Sequence, residues 1–128
     1  MPSITQKKGT GAERYAASWL KKRGYTILDM NYRFQKIEID LIALDESASP
    51  YRQGEIVFVE VKWRQTDCFA LPIVAVTPSK QRRLIQGAKV YIAQHRLSHL
   101  NCRFDVICLT GVPPMVTLDH FEGAFRDA

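Results

Sequence analysis

The spacing of apolar residues divides the chain into elements. Ala12, Tyr15, Ala16, Trp19 and Leu20 recur at the period of one helix face and Gly24 follows as a stop, so a helix is predicted from Ala12 to Arg23. Tyr25 to Phe34 is rich in aromatic and branched residues, Gln35-Lys36 can turn the chain, and Ile37 to Leu44 alternates before the polar run Asp45-Glu46-Ser47-Ala48-Ser49-Pro50. These read as two hairpin strands and a loop. After Gly54 a third strand, Glu55 to Arg64, places Ile56, Phe58, Glu60, Lys62 and Arg64 on one face. That face is apolar at its start and ionisable at its end, as in a strand that leaves a core and enters a polar site.

Gln65 to Val76 is irregular in pattern. Thr77-Pro78 then supplies a cap and a first-turn proline for a second helix to about Leu97, with Leu84, Ala88, Tyr91 and Ile92 as its buried stripe. Cys102 to Leu109 and Met115 to His120 read as two final strands around Gly111-Val112-Pro113-Pro114. The predicted order is αβββαββ: an α/β fold with a mixed β-sheet flanked by helices, in a single domain over residues 1–128 with 1–8 as a flexible tail.

Composition narrows the class. With 128 residues, 46% apolar and 24% charged, the chain can bury a core without staples. No segment approaches the roughly 18 apolar residues of a membrane span, and the start lacks the apolar core of a signal peptide. The odd set Cys68, Cys102 and Cys108, without a C-x-x-C motif, points to free thiols in a reducing compartment, the cytoplasm. The net charge of +5 is unevenly spread: residues 1–36 carry +6, residues 37–77 carry −4 and residues 78–103 carry +6. An acidic centre between basic flanks suits a metal site inside a phosphate-binding surface, and solvated helix faces would give the same counts. Arg82, Lys89 and Arg96 recur as a basic stripe along the second helix.

The acidic centre carries the candidate chemistry. Asp40, Glu60 and Lys62 form D-x19-E-x-K on adjacent predicted strands. Alternation puts Glu60 and Lys62 on one face and Glu38 and Asp40 on one face, so pairing of the strands gathers Asp40, Glu60 and Lys62. Two carboxylates about 4 Å apart repel by roughly 4 kcal/mol at an effective dielectric of 20, which a divalent cation relieves. Hard oxygen ligands select Mg²⁺ or Mn²⁺ over zinc. Asp40 and Glu60 would hold the metal, with the backbone carbonyl of Val61 as a further ligand, and Lys62 would orient a water or offset charge on the phosphorus-bound oxygens. A solvent-facing strand pair with a Glu60–Lys62 salt bridge is the structural alternative.

Glu13 has two readings. Thr10-Gly11-Ala12-Glu13 fits a capping box, yet Glu13 also shares a face with Ala16, Ala17 and Leu20 and so can look inward. His95 and His99 have zinc-ligand spacing but no third ligand, and Gly9-Thr10-Gly11 is too short for a phosphate loop.

Gly11-Ala12-Glu13-Arg14-Tyr15-Ala16-Ala17, Gly24-Tyr25-Thr26-Ile27-Leu28, Asn31-Tyr32-Arg33, Glu38-Ile39-Asp40-Leu41-Ile42-Ala43, Phe58-Val59-Glu60-Val61-Lys62 and Arg103-Phe104-Asp105-Val106-Ile107 resemble the YraN family, from about Gly9 to Phe125. That family is largely uncharacterised and is similar to archaeal Holliday-junction resolvases. The resemblance implies a restriction-endonuclease-like core and a PD-(D/E)xK nuclease site, with the motif acids on Asp40 and Glu60, the lysine on Lys62 and a first-helix metal ligand on Glu13. Lys80 matches a family lysine that is a candidate for touching DNA. Ile39 stands where the motif's name has proline, and Ile37 where relatives commonly carry glycine.

The expectation is a Mg²⁺-dependent (or Mn²⁺-dependent) nuclease acting on DNA rather than RNA, on branched or junction structures, as a homodimer if it resolves junctions. Arg14, Lys36, Arg64, Lys80, Arg82, Arg83 and Lys89 are the candidate phosphate contacts. The alternatives are a nucleic-acid-binding module without chemistry and an adaptor in DNA repair or uptake.

Overall fold

The apolar stripe Ala16, Ala17 and Leu20 is buried on one side of α1 (Ile4–Lys22), and Glu13 joins it at 7% exposure. The structure, a computed structural model, describes residues 4–46, 54–64 and 76–126, with side chains from residue 11 onward. Five strands and a second helix follow α1: β1 (Tyr25–Phe34), β2 (Ile37–Asp45), β3 (Glu55–Arg64), α2 (Pro78–Gln94), β4 (Asn101–Val112) and β5 (Met115–Phe125). The order among the described residues is the expected αβββαββ. The segment read as irregular, Gln65 to Val76, falls outside them up to residue 75.

The sheet order is β1-β2-β3-β4-β5. Neighbours are antiparallel except β3 and β4, which run parallel from Glu55↔Asn101 to Arg64↔Thr110. A parallel pair needs a crossover, and α2 lies in it. β3 is thereby central and apolar on both faces. Ile56 and Phe58 pack with Ile42, Phe104, Val106 and the α2 residues Leu84, Ala88 and Tyr91. Val57 and Val59 pack with Leu41, Ala43, Ile107, Leu109 and the α1 residues Ala16, Ala17 and Leu20. The two helices therefore cover opposite faces. Gly87 lets α2 sit tightly on the sheet, because a Cβ there would lie 2.8 Å from Ile37 Cγ2.

A second polar cluster ties the five strands together at the end where Asp45 pairs with Glu55. Arg103 of β4 donates through Nη1 to Asp45 Oδ2 and Glu55 Oε1, both at 3.0 Å, through Nη2 to the Tyr25 hydroxyl at 2.6 Å, and through Nε to Asp105 Oδ1 at 3.0 Å. Fully buried Asp105 also accepts from the Gly123 amide at 3.0 Å and lies 2.7 Å from His120 Nε2. Each strand contributes, and a buried charge is tolerated only when satisfied in this way. Burial, with the charge of Asp45, pushes the Tyr25 phenol up to about 12 against the pull of Arg103.

Several expectations need correction. α1 starts at Ile4 rather than Ala12, so it takes in residues 4–8 of the expected tail and carries Thr10 inside the helix. A residue within a helix does not cap it, which removes the capping-box role of Glu13. Tyr15 is 46% exposed; the inward stripe is Glu13, Ala16, Ala17 and Leu20. β1 carries a bulge between Ile27 and Asp29 that leaves Leu28 outside the ladder, 38% exposed. α2 stops at Gln94, and Arg96 lies beyond it with φ 53°, so the basic stripe ends at Lys89. β5 runs past His120 to Phe125. Cys102 lies exposed outside any disulfide, whereas Cys108 is disulfide-bonded, against the expectation of free thiols.

Candidate active site

The β2–β3 ladder runs from Asp45↔Glu55 to Leu41↔Val59 and stops there, just before Asp40 would face Glu60. β2 twists at this point: Ile39 and Ile42 both pack on the α2 side, while Leu41 packs on the α1 side. The freed backbone is recovered by a side chain, since Asp40 Oδ2 accepts from the Val61 amide at 2.8 Å. The strands fork, and the acids stand at the fork.

Glu60 is 5% exposed at the end of the apolar run of β3. Its Oε1 accepts from Lys80 Nζ at 2.6 Å and lies 3.3 Å from Lys62 Nζ. Lys80 stands in the first turn of α2, whose cap is the Thr77 hydroxyl accepting from the Lys80 amide at 3.2 Å. α1 delivers Glu13 from the opposite side of the sheet. Asn31 and Asp40 lie in hydrogen-bond contact with its carboxyl, yet Glu13 Oε2 is buried without a partner. Asn31 holds a left-handed backbone, φ 55°, which Asn tolerates better than most residues.

This crowding shifts protonation. Burial first, then the Glu60 and Glu13 charges, push the Asp40 carboxyl up to about 7 against the Val61 amide and Lys80. Burial likewise raises Glu13, with Glu38 and Glu60 adding repulsion while the contacts to Asn31 and Asp40 pull the other way. The acids are poised to take up positive charge, as a proton or as a cation. Lys80 is held above its ordinary value: burial opposes its charge, and Glu60, Lys62 and Asp40 together outweigh that burial.

An open cleft of about 440 Å³ lies at the fork, lined by Lys36, Ile37, Glu38, Asp40, Glu60, Thr77, Ser79, Lys80, Arg83 and Leu84. Of the residues expected to touch phosphate, Lys36, Lys80 and Arg83 line this cleft. Arg14, Arg64, Arg82 and Lys89 are exposed elsewhere, with Arg64 donating to the Trp63 carbonyl at 3.2 Å. Glu38 is exposed and pairs with Arg33 at 3.5 Å while lining the cleft beside the buried acids. His95 stacks on Tyr91 at 4.0 Å at the end of α2 and His99 lies beyond the helix, which does not form the zinc pair. Among the described residues, no three His, Cys, Asp or Glu side chains are gathered as a ready-made metal group. The donor chemistry nonetheless fits a hard divalent cation: carboxylates from α1, β2 and β3 lie near enough to repel one another, one with an orphaned buried oxygen and one with a strongly raised pKa.

Sequence reasoning missed Asn31 beside Glu13. A polar residue inside a strand pattern was its signal, but only the left-handed backbone turns it toward the site. It also assigned Lys80 to DNA alone, because a helix-start lysine gives no sign that a strand carboxylate lies within reach.

The chain matches a family model described as Uncharacterised protein family UPF0102 over residues 12–109. It is 42% identical over 111 residues to a UPF0102 protein of Coxiella burnetii strain RSA 493, covering 86% of this chain and 87% of that one. It is 41% identical to one of Trichlorobacter lovleyi over 98% and 97% of the two chains, and 40% identical to one of Syntrophus aciditrophicus over 96% and 93%. These matches span α1, the forked strands and β4 alike, and the chain belongs to the UPF0102 (YraN) family.

Proposed function

We propose that this protein is a Mg²⁺- or Mn²⁺-dependent nuclease of the PD-(D/E)xK kind that hydrolyses phosphodiester bonds in DNA, branched or junction DNA above all. The observation that carries the reading is the approach of Glu13, Asp40 and Glu60 to the fork, near enough to repel one another, with an unpartnered buried oxygen on Glu13 and Lys62 Nζ 3.3 Å from Glu60. Glu13, Asp40, Glu60 and the Val61 carbonyl would hold the ion. A bound cation of this kind polarises a phosphodiester and eases ionisation of water.

The protein's own groups account for the rest. Lys62, on the same strand face as Glu60, would orient the attacking water and offset charge developing on the phosphorus-bound oxygens. Lys36 and Arg83 at the cleft rim would bind flanking phosphates, positioning the strand without reading its sequence. A junction with two strands to cut would take two copies of the site, hence a homodimer. Among the described residues no helix is long and apolar enough to cross a membrane.

The test is cleavage of branched, flap and linear DNA with Mg²⁺ or Mn²⁺ by the wild type, Asp40→Ala and Lys62→Met. We expect losses of roughly 10²-fold or more in both variants with DNA affinity retained. Equal residual activity in wild type and Asp40→Ala sinks the assignment. A second reading, a DNA-binding module without chemistry, draws on Lys80 already neutralising Glu60. It requires salt-sensitive binding with no metal-dependent turnover.

A further inference from the structure

Lys80 and Lys62 share one oxygen of a carboxylate that is nearly sealed from water, yet the two lysines are held very differently. Lys62 follows Glu60 by two residues on the same strand, and its side chain is 20% exposed. Lys80 reaches Glu60 from another element, at the shorter distance of 2.6 Å, and its side chain is 41% exposed. Its position is unfavourable otherwise: it stands in the first turn of α2, the positive end of the helix dipole, and that turn contains no acid. Glu60 is what draws the Lys80 ammonium to the fork. A side chain attached that way can leave along the cleft without crossing packed atoms, because the cleft it lines is open and its stem is already half in solvent.

We propose that Lys80 is a built-in counter-cation of Glu60 that a divalent ion displaces, and that displacement moves its ammonium into the cleft mouth beside Arg83 and Lys36. Lys62 and Lys80 already crowd the Glu60 oxygen, so a divalent ion binding this carboxylate adds repulsion that falls most on Lys80, which makes the shorter contact and has an open path outward. Metal and Lys80 therefore compete for the carboxylate, while a polyanion in the cleft and Lys80 in its outward position favour each other. The consequence is heterotropic coupling: metal binding raises affinity for phosphate backbone, and by linkage backbone binding raises affinity for metal. This rests on the metal-site reading above and deepens it. It gives Lys80 a positioning role that depends on whether metal is present.

The experiment compares wild type with Lys80→Met, which keeps the aliphatic stem and removes the charge. Mn²⁺ binding to the metal-free proteins is measured by calorimetry, and binding of a nicked duplex by anisotropy with and without Ca²⁺. Thermal unfolding verifies the fold of the variant, and Lys80→Gln serves as its replicate. Lys80→Met should bind Mn²⁺ about tenfold more tightly, the effect of removing one competing unit charge from a part-exposed site. Its Ca²⁺-linked gain in duplex affinity should be at least threefold smaller than that of the wild type. Lysine Nζ resonances give an independent readout, with that of Lys80 moving on Mn²⁺-mimicking Mg²⁺ addition to the wild type. Mn²⁺ binding by the variant alone supports the proposal. Equal or weaker Mn²⁺ affinity in the variant overturns it while leaving the metal site standing. Absence of Mn²⁺ binding by both proteins at millimolar metal overturns the metal site and the proposal with it.

Discussion

Replacing Asp40 by Asn keeps an acceptor for the Val61 amide and removes the charge that the fork resists. In the metal-free protein the Asp40 carboxyl titrates near 7 against an ordinary 3.8, so between those values the folded state holds a proton that the unfolded chain has lost. Stability must therefore fall as pH rises through this window and level off above it, because the native state binds more protons there. At 1.36 kcal/mol per pKa unit a shift of this size amounts to ~4 kcal/mol. Water reaches the half-buried carboxyl and Glu13 and Glu60 share the repulsion, so about 2 kcal/mol is the working magnitude. Urea unfolding in EDTA, followed by circular dichroism from pH 4 to 8.5, measures it directly. Asp40→Asn and wild type should coincide near pH 4 and diverge to about 2 kcal/mol in favour of the variant at pH 8. A gap that does not change with pH, or a variant less stable than wild type at pH 8, refutes the reasoning.

Three further outcomes follow from the same geometry. Millimolar Mn²⁺ should raise the unfolding free energy of wild type at pH 8 by about 1–3 kcal/mol in the same urea assay if the ion is well above its dissociation constant, and leave Asp40→Asn unmoved. Asp105→Ala should lose about 3–5 kcal/mol in the same assay, since it strips a fully buried carboxylate from Arg103, His120 and the Gly123 amide. A loss under about 1 kcal/mol would mean that water replaces it easily. Gly87→Ala should destabilise by about 1 kcal/mol, because the clash with Ile37 outweighs the better helix propensity, and Gly87→Val by about 3. Stabilisation by Gly87→Ala would contradict the tight seat of α2.

Much of this arrangement was legible from period alone. Two-residue alternation placed Glu60 and Lys62 together, and helical spacing aligned Glu13 with Ala16, Ala17 and Leu20, so the inward reading of Glu13 was available in the sequence. The capping reading competed because Gly9-Thr10-Gly11 looks like a helix start, yet α1 passes through two glycines and begins at Ile4. Apolar burial of its one face offsets their weak propensity. The twist at Asp40 could not be read, since alternation predicts no slip between Ile39 and Ile42. The Arg103 cluster was equally hidden. It joins Tyr25, Asp45, Glu55, Asp105 and His120, residues that meet only once five strands are in register.

The support of the two strands at the fork has a mechanical side. Glu60 and Lys62 ride on a strand whose parallel pairing with β4 continues to Arg64, and Asp40 rides on one whose antiparallel pairing with β1 continues to Phe34↔Ile37. The site thus resembles a vice whose two jaws are each backed from outside and latched to one another by the bond from the Val61 amide to Asp40. Widening the gap between them would move two braced strands apart rather than one loose side chain.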